Sequence, residues 1–399
     1  MLDSQVKQFL ETVASGDHKP FSVVEARKNS DRMTQEFGGT PVPVVSIKNE
    51  RVTAENIPIR IYTPHQCDRI TIVYLHGGGW VTGNLDSCDN ICRALANSAS
   101  ATVVSVGYRL SPEYPFPTPL NDCLAATQWT INNVERLGGD SKRIVIAGDS
   151  VGGGMAAVVA RKLRDRLAMQ VLLYPVTDAT MSTQSYQNLG EGYYVSRETM
   201  EAYWKAYLGD LKTADLKNPD ASVLYAEDLT GLPDTLIMVC EYDPLKDEAK
   251  SYADKLKQVG VNVELIEISG MIHGFLRFRT LDKARSVIED IGDRISRQIT
   301  RTKAAVISRI EAKPGQEEIL KQASIELGHA TSQESGCRQY SFHQSTENKR
   351  EFVFYEVFET QAALQAHLET DHTQVWFAKM KQIAIGSPQI TPLSVVYKV

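Results

Sequence analysis

The chain has 399 residues, of which 42% are hydrophobic and 23% charged, and this ordinary globular composition excludes disorder, collagen and coiled coil as its main character. At roughly 150 residues per domain the length predicts more than one domain, and two unequal domains fit because large α/β enzymes exceed about 250 residues in one domain. Lys and Arg number 43 and Asp and Glu 49, a net charge of −6, which disfavours nucleic-acid binding.

Six cysteines are too few for a disulfide scaffold, and none of them forms a CxxC pair. We interpret them as free, buried thiols in a reducing compartment. The N-terminus has no basic segment followed by an apolar one, so no secretory signal is visible. Because no apolar run reaches the roughly 18 residues that a membrane span needs, the sequence predicts a soluble, cytoplasmic protein without membrane association.

Two helical segments open the chain. Apolar residues recur at helical spacing over 6–13, and Ser22 with Glu25 fits a capping box for a second helix that ends near Phe37. These helices, within residues 1–40, are predicted either to cap a site or to serve as outer packing. Sequence alone does not choose between the two.

Short apolar strands alternate with helices from about Val44 to residue 300. Several strands are almost continuously apolar, as strands buried on both faces of a sheet are. The alternation predicts an α/β fold, with a mostly parallel sheet covered by helices on both sides. In chain order the predicted strands begin near Val44 and continue with 57–62, 70–75, 101–106, 144–147, 170–174, 236–239 and 262–267, and the predicted helices are 87–99, 120–136, 154–167, 245–258 and 281–300.

The pattern restarts at about residue 303. Strand, helix, two strands, helix and strand then follow one another, which predicts a small ferredoxin-like α+β domain. We place the domain boundary so that 1–302 and 303–399 form separate domains. The predicted strands are 304–310, 340–345, 351–358 and 391–399, and the predicted helices are 316–328, 360–369 and 371–383.

A serine motif follows the predicted strand 144–147. Gly148-Asp149-Ser150-Val151-Gly152 fits G-x-S-x-G between a strand and a helix, which is the context of a nucleophile elbow. Such a turn lifts Ser150 Oγ clear of the sheet and aims the Val151 N–H at a reacting carbonyl. The alternative is an ordinary turn serine, because the motif by itself occurs often by chance.

A glycine loop, His76-Gly77-Gly78-Gly79, follows another buried strand. Acyl transfer develops negative charge on an oxygen, and glycines allow a loop to turn two or three N–H groups toward it. The loop therefore predicts an oxyanion hole, with a merely flexible loop as the alternative. Phosphate binding is a weaker hypothesis, because neither GxGxxG nor GxxxxGK[ST] occurs.

His273 is the best candidate for a general base among the four histidines of the first 300 residues, because it lies in a glycine-flanked loop after a strand. Asp243 also follows a strand end, where its carboxylate could orient the imidazole; Asp247 and Glu241 remain rivals for this role. The chain order Ser150, Asp243, His273 is the one expected when a serine elbow of this kind lies in an α/β sheet. The other three histidines are His18, His65 and His76.

Five motifs stand in order between residues 40 and 300. They are His76-Gly77-Gly78-Gly79-Trp80, Tyr108-Arg109-Leu110-Ser111-Pro112-Glu113, Gly148-Asp149-Ser150-Val151-Gly152-Gly153, Asp243-Pro244-Leu245-Lys246-Asp247-Glu248 and His273-Gly274-Phe275. Through them the segment resembles the hormone-sensitive-lipase branch of the α/β-hydrolases, bacterial carboxylesterases of the acetyl-esterase kind. The resemblance implies an enzyme that hydrolyses small-molecule esters and requires no cofactor and no metal.

The resemblance also implies roles for individual residues. Ser150 would be the nucleophile, His273 the base and Asp243 the acid, while the N-terminal helices and part of 180–230 would cap a pocket for short acyl chains. Val151, where relatives more often have alanine, would narrow that pocket and keep its N–H. Some relatives of this fold are receptors that have lost the base, but here all three members are present, so binding without turnover is a weaker hypothesis. The implied oxyanion-hole donors are Gly78, Gly79 and Val151, and the supporting residues are His76, Gly77 and Asp149.

The last hundred residues carry motifs of a second family. They are Pro314-Gly315, Glu334-Ser335-Gly336-Cys337, Phe352 to Glu356 and Ala366-His367-Leu368, with His372 just beyond. Through them residues 303–399 resemble the antibiotic-biosynthesis-monooxygenase family, small quinol oxygenases without a cofactor. Because His367 and His372 are five positions apart, they would not share one face of a single helix, so a metal pair is not expected.

Two hypotheses remain for this second domain. We favour a homo-oligomerisation module that makes the protein a dimer or larger assembly, since members of the family it resembles pair through their sheets. The alternative is a second active site, which would oxidise a quinol or phenol and make the enzyme bifunctional.

Overall fold

The chain folds into two compact units, Met1–Ile299 and Thr300–Val399, in a computed structural model that describes residues 1–13, 21–300, 304–334 and 336–393. The first unit is an α/β domain and the second an α+β domain, which confirms the predicted fold class. The predicted boundary between residues 302 and 303 falls in a segment outside the described residues. His18, Ser335 and the C-terminal end of the predicted strand 391–399 also lie outside them.

An eight-stranded sheet forms the centre of the first unit. Its strands are β1 (Ser46–Val52), β2 (Ile57–Thr63), β3 (Ile70–Leu75), β4 (Ala101–Val106), β5 (Ile144–Asp149), β6 (Met169–Leu173), β7 (Asp234–Tyr242) and β8 (Val263–Ile272). The order across the sheet is β1-β2-β4-β3-β5-β6-β7-β8. β1 and β2 pair antiparallel, and β3 to β8 run parallel, so their carboxyl ends meet at one edge.

Helices cover both faces of this sheet, which is why β3, β4 and β5 are buried along their whole length. The helices of this unit are α1 (Ser4–Val13), α2 (Val23–Phe37), α3 (Asp89–Ser98), α4 (Thr118–Asn132), α5 (Val151–Lys162), α6 (Gln184–Asn188), α7 (Arg197–Leu208), α8 (Lys246–Gln258) and α9 (Asp282–Ile299). One apolar core includes side chains of α4, α5 and α8, and a second includes side chains of α3 and α9.

The second unit is a four-stranded antiparallel sheet with helices packed on it. Its strands are β9 (Ala304–Ala312), β10 (Cys337–Gln344), β11 (Glu351–Phe358) and β12 (Ala384–Leu393), and its helices are α10 (Glu317–Thr331), α11 (Gln361–Glu369) and α12 (Asp371–Ile383). The order β10-β11-β9-β12 is that of a ferredoxin-like domain. Phe352, Phe354 and Trp376 share its core. On the other face of the sheet, Ile307, Val353 and Tyr355 are partly exposed.

Three local predictions are wrong. Ser22 occupies the N-cap position of α2, but its hydroxyl makes no capping hydrogen bond, so the capping box with Glu25 does not form. β12 begins at Ala384, well before the predicted start of the last strand, because an edge strand with mostly exposed side chains lacks the alternation that marks a strand. All six cysteines are free thiols, but Cys67 is exposed in the connection between β2 and β3.

None of the helices in the described part of the chain combines the length and the apolar character that a membrane crossing requires.

Candidate active site

Ser150 lies in the tight turn between β5 and α5. Its φ of 56° and ψ of −123° belong to a region that residues other than glycine rarely adopt. The turn needs the small Gly152, because a Cβ there would lie 2.1 Å from the carbonyl oxygen of Leu75. The Ser150 N–H donates to the Leu173 carbonyl at 2.9 Å, and the Ser150 carbonyl accepts from the Val176 N–H at 3.1 Å. These contacts hold the strained turn at the carboxyl edge of the sheet.

A hydrogen-bonded chain joins Ser150, His273 and Asp243. The three residues follow the carboxyl ends of the parallel strands β5, β8 and β7, so the fold brings them to one edge. Ser150 Oγ lies 2.8 Å from His273 Nε2, and His273 Nδ1 lies 2.8 Å from Asp243 Oδ2. Because a carboxylate only accepts, Nδ1 carries the proton, and Nε2 is left to accept from the serine hydroxyl. All three side chains are buried.

The two rivals of Asp243 make other contacts. Asp247 Oδ2 accepts from the Ser185 N–H at 2.8 Å. Glu241 Oε2 accepts from the Gly270 N–H at 2.7 Å. In the described part of the chain, Asp243 is the one candidate of the three that is hydrogen-bonded to the imidazole.

Tyr174 packs against the imidazole of His273, and the sequence carries no signal for this contact. The two ring centroids lie 4.9 Å apart with the ring planes 63° from each other. Tyr174 follows β6 with a positive φ of 37°, and burial raises the pKa of its phenol well above the usual range. On the other side, Asp243 Oδ1 accepts from the Leu245 N–H at 2.8 Å, which fixes the carboxylate. The imidazole is therefore restrained from two directions.

The glycine loop after β3 is tied to the serine turn through Asp149. The Gly77 N–H donates to Asp149 Oδ1 at 2.9 Å, and the Tyr74 hydroxyl donates to the same oxygen at 2.8 Å. Burial raises the pKa of the Asp149 carboxyl. Because Asp149 immediately precedes Ser150, these bonds fix the position of the loop relative to the serine.

Gly78 and Gly79 both have positive φ, 121° and 63°. A Cβ at Gly79 would lie 2.2 Å from the ring of Tyr203, so the loop passes directly under this side chain. In the part of the chain that the structure describes, neither glycine N–H is hydrogen-bonded to a carbonyl. Val151 is the first residue of α5, where a helical N–H has no partner within the helix. Its side chain is fully buried in the apolar core.

His76 is buried beside the loop. Its ring stacks on that of Tyr108 with centroids 4.2 Å apart, and the Tyr108 hydroxyl donates to the His76 carbonyl at 2.7 Å. Nδ1 lies 2.8 Å from the Gly77 carbonyl oxygen and therefore carries the proton, while Nε2 is buried without a partner among the described residues. Burial lowers the pKa of the imidazole to about 4, so His76 is neutral at pH 7.

Helix α2 is bound to segments that follow the glycine loop and His273. The Arg27 side chain donates to the Val81 carbonyl at 3.0 Å and to the Glu113 carboxylate at 2.7 and 2.8 Å. This guanidinium lowers the pKa of Glu113 to about 2. The Arg277 side chain donates to the Ser30 hydroxyl at 3.0 Å. Both contacts hold α2 close to the rim of the serine site.

Aromatic rings gather over the same loop. Phe21 meets the ring of Tyr203 edge-on, with centroids 5.4 Å apart. Trp80, the residue after Gly79, stacks on Tyr207 at 4.2 Å. Because Tyr203 and Tyr207 belong to α7, this helix and the chain just before α2 both reach the glycine loop.

The second unit contains a cavity of about 50 Å³ between its sheet and its helices. Phe354, Trp376 and Phe377 contribute aromatic walls, and Glu356 and His367 contribute polar groups. Burial, together with the nearby charge of Glu334, raises the pKa of Glu356 to about 7.

His367 and His372 converge on Glu334, so the prediction that their spacing separates them is wrong. His367 Nδ1 lies 2.8 Å and His372 Nε2 lies 2.6 Å from the same oxygen, Glu334 Oε1. The reason is a break between two helices. Thr370 ends α11 with a φ of −65° and a ψ of 149° and caps α12 by accepting from the Thr373 N–H, so the imidazoles project from different helices.

Comparison with known proteins identifies both units. Residues 72–277 match the α/β hydrolase fold family, and residues 304–379 match the antibiotic biosynthesis monooxygenase family. The chain is 39% identical over 234 residues to ethyl acetate hydrolase of Pseudomonas putida, covering 56% of this chain and 73% of that protein. It is 34% identical over 284 residues to an arylesterase of Saccharolobus solfataricus, covering 69% of this chain and 92% of that protein.

The first unit is also similar to solved structures of esterases. The hyperthermophilic esterase of Pyrobaculum calidifontis matches with a TM-score of 0.70 and 33% identity, covering 74% of this chain and 98% of that one.

Proposed function

The chain belongs to the α/β-hydrolase family, as a carboxylic ester hydrolase with an antibiotic-biosynthesis-monooxygenase domain, and we propose that it hydrolyses short-chain esters through an acyl-enzyme on Ser150. The observation that carries this proposal is the hydrogen-bonded chain of Ser150, His273 and Asp243. A serine hydroxyl is a weak nucleophile at its ordinary pKa, and an adjacent unprotonated imidazole nitrogen activates it.

In the acylation step, Ser150 Oγ forms a bond to the ester carbonyl carbon while its proton passes to His273 Nε2. The imidazolium is stabilised by Asp243, whose carboxylate accepts the Nδ1–H. The tetrahedral intermediate then collapses. The carbon–alkoxy bond breaks, the proton on Nε2 moves to the leaving oxygen, and the alcohol departs from an acyl-Ser150 ester.

Deacylation repeats the sequence with water. His273 Nε2 accepts a proton from the water, whose oxygen attacks the acyl carbonyl. Collapse of the second tetrahedral intermediate breaks the bond to Ser150 Oγ, which takes the proton from Nε2. The carboxylic acid leaves, and the starting hydrogen-bond pattern is restored.

We assign the oxyanion hole to the N–H groups of Gly78, Gly79 and Val151. Support comes from the two glycine N–H groups, which donate to no carbonyl in the described chain, and from the first-turn position of Val151. The N-terminal end of α5 adds partial positive charge at the same place. Gly77, His76 and Asp149 support the loop through the hydrogen bonds among Gly77, Asp149 and the His76 ring. Donors fixed in advance stabilise the developing charge without reorganising during the reaction.

The preference for short acyl chains rests on two observations. A relative with 39% identity is named for the hydrolysis of ethyl acetate. In this chain, Tyr203 closes over Gly79, and Phe21 closes over Tyr203. Rings so close to the loop leave little room for a long acyl chain. The two segments that supply the rings, before α2 and in α7, would act as the cap.

We propose that the second unit is a homo-oligomerisation module, through the sheet face that bears Ile307, Val353 and Tyr355. These apolar side chains remain partly exposed, and the helices pack on the opposite face. A cytoplasmic location is part of the same proposal, and it is supported by six cysteines that are all free thiols.

The test of the esterase mechanism is hydrolysis of p-nitrophenyl esters of graded chain length by the intact chain and by Ser150→Ala. We expect acetate and butyrate to react fastest, and Ser150→Ala to lower kcat by roughly 10⁴- to 10⁶-fold. Ser182→Ala, a change of an exposed serine on the same unit, is the matched control and should keep full activity. A loss below tenfold in Ser150→Ala would overturn the acyl-enzyme.

A further inference from the structure

Glu334, His367 and His372 form a cluster in the second unit that the esterase mechanism does not use. One potential ligand atom from each residue lies within 4.8 Å of the others. We propose that these three side chains bind a divalent first-row transition-metal ion, making the second unit a metal site as well as an assembly module.

The donor set determines the class of ion. Two imidazole nitrogens with one carboxylate oxygen suit Zn²⁺, Fe²⁺, Co²⁺ or Ni²⁺, whereas Mg²⁺ and Ca²⁺ prefer oxygen ligands alone. Three protein ligands leave at least one coordination position for water or another molecule, as in catalytic rather than closed structural sites. The site is therefore an open one.

The geometry needs only a small adjustment to admit an ion. The two nitrogens now lie 2.8 and 2.6 Å from Glu334 Oε1, as hydrogen-bond donors. Ligands on one tetrahedral Zn²⁺, with bonds of about 2.0 to 2.1 Å, lie roughly 3.3 Å from one another. Rotation of the side chains can make up the difference, and His372, in the first turn of α12, is partly exposed, with 33% of its side chain accessible to solvent.

The imidazoles can also shift their protons away from the metal-binding nitrogens. For His367 Nδ1 and His372 Nε2 to bind an ion, each imidazole must move its proton to its other nitrogen. On His367 that nitrogen is Nε2, which lies 3.7 Å from Glu356 Oε2. A carboxylate facing the outer nitrogen is the usual arrangement around a metal-binding histidine, because it fixes the tautomer and the ring orientation. Glu356 would therefore position the ligand without touching the ion.

The charge and packing around His367 also favour a divalent metal ion in this cluster. Glu334 and Glu356 place two carboxylates on opposite nitrogens of His367, whose side chain is only 3% exposed. Phe358 packs on this imidazole with ring centroids 4.8 Å apart. A divalent cation compensates two carboxylates in such low-dielectric surroundings. His367 also lines the aromatic cavity, so the ion would lie next to a space that can admit a small molecule.

Full-length protein, freed of metal by dialysis against a chelator, is titrated with Zn²⁺ by calorimetry and with Co²⁺ by visible absorption. The variants are His372→Gln, Glu334→Gln and Glu356→Gln, and His343→Gln, an exposed histidine of β10, is the matched control. We expect one site in the unmodified chain that the control keeps. Loss of a ligand should weaken binding by about 100-fold or more, and Glu356→Gln should weaken it by about 10- to 100-fold.

Two results would overturn the metal site. One is metal binding of the same stoichiometry and affinity in the unmodified chain and in both His372→Gln and Glu334→Gln. The other is a loss of metal affinity in the control His343→Gln as large as in the ligand variants. Thermal unfolding of each variant establishes that it is folded, and two ligand variants are used so that the test does not depend on one. Esterase activity on p-nitrophenyl acetate should be the same with and without Zn²⁺ removal, so this proposal and the esterase mechanism fail independently.

Discussion

Buried His76 should make the first unit lose stability as the pH falls, by an amount that the structure predicts. Its pKa is lowered from 6.5 to about 4, chiefly because burial disfavours the charged ring, with a smaller contribution from the charge of Arg277. Between pH 6.5 and about pH 4 the unfolded chain binds a proton on this histidine, and the folded chain does not. The free energy of unfolding therefore falls as pH drops below about 6.5, and it stops falling near pH 4.

The size of the effect follows from the pKa change. A displacement from 6.5 to about 4 corresponds to about 3 kcal/mol in full, of which about 2 kcal/mol is already lost at pH 5. The perturbation is His76→Asn, which removes the titrating ring. The variant is expected to be less stable at pH 7, because it loses the stacking on Tyr108, but its stability should change less with pH.

The assay is urea unfolding followed by tryptophan fluorescence at pH 7 and pH 5. Three of the four tryptophans, Trp80, Trp129 and Trp204, belong to the first unit, so the signal reports mainly on it. For the unmodified chain and for His76→Asn, we compare how much the free energy of unfolding falls from pH 7 to pH 5. The contributions of other titrating groups are the same in both and cancel in the difference. His65→Asn, at an exposed position, is the control. Equal losses in the unmodified chain and His76→Asn would refute the assignment of a buried, neutral imidazole.

Three further predictions concern the esterase site and the assembly. Gly79→Ala should lower kcat/KM by roughly 10²- to 10³-fold, because the new Cβ would lie 2.2 Å from the Tyr203 ring. Adding Tyr203→Ala in the same chain should restore part of the activity. If the double variant does not recover, this clash is not the cause of the loss. Asp243→Asn should lower kcat by about 10⁴-fold, while Asp247→Asn should keep most of the activity. A larger loss in Asp247→Asn than in Asp243→Asn would make Asp247 the acid. Val353→Arg should reduce the oligomer size in sedimentation velocity, and unchanged stoichiometry would reject the sheet face as the interface.

Much of the fold and of the candidate site was predictable because the signals are local. Continuous apolar runs such as 70–75 and 101–106 are typical of buried parallel strands, and both are strands in the structure. Ser150 lies in a motif of five consecutive residues, and His273 and Asp243 each follow a strand. Because carboxyl ends of parallel strands share one edge, strand order alone places such residues near one another.

Contacts between distant side chains were not predictable. Position along the chain leaves Asp243, Asp247 and Glu241 as rivals near the end of β7, and only the family resemblance favoured Asp243. The contact itself depends on which carboxylate reaches the imidazole across the sheet edge. Tyr174 is likewise close to His273 only because β6 and β8 end on either side of β7. Periodicity describes one element at a time and carries no information about such distances.

What the sequence by itself determined is therefore the class of each unit and the order of the strands and helices along the chain, and it pointed to Ser150 as a candidate nucleophile, because these features depend on residues close together along the chain. Only the tertiary structure decided which acid faces His273, how deeply His76 is buried, and that His367 and His372 converge on Glu334. The last case gives the physical reason. A five-residue spacing separates two side chains on one helix, but the break at Thr370 points them at a glutamate more than thirty residues earlier, and only packing brings those segments together.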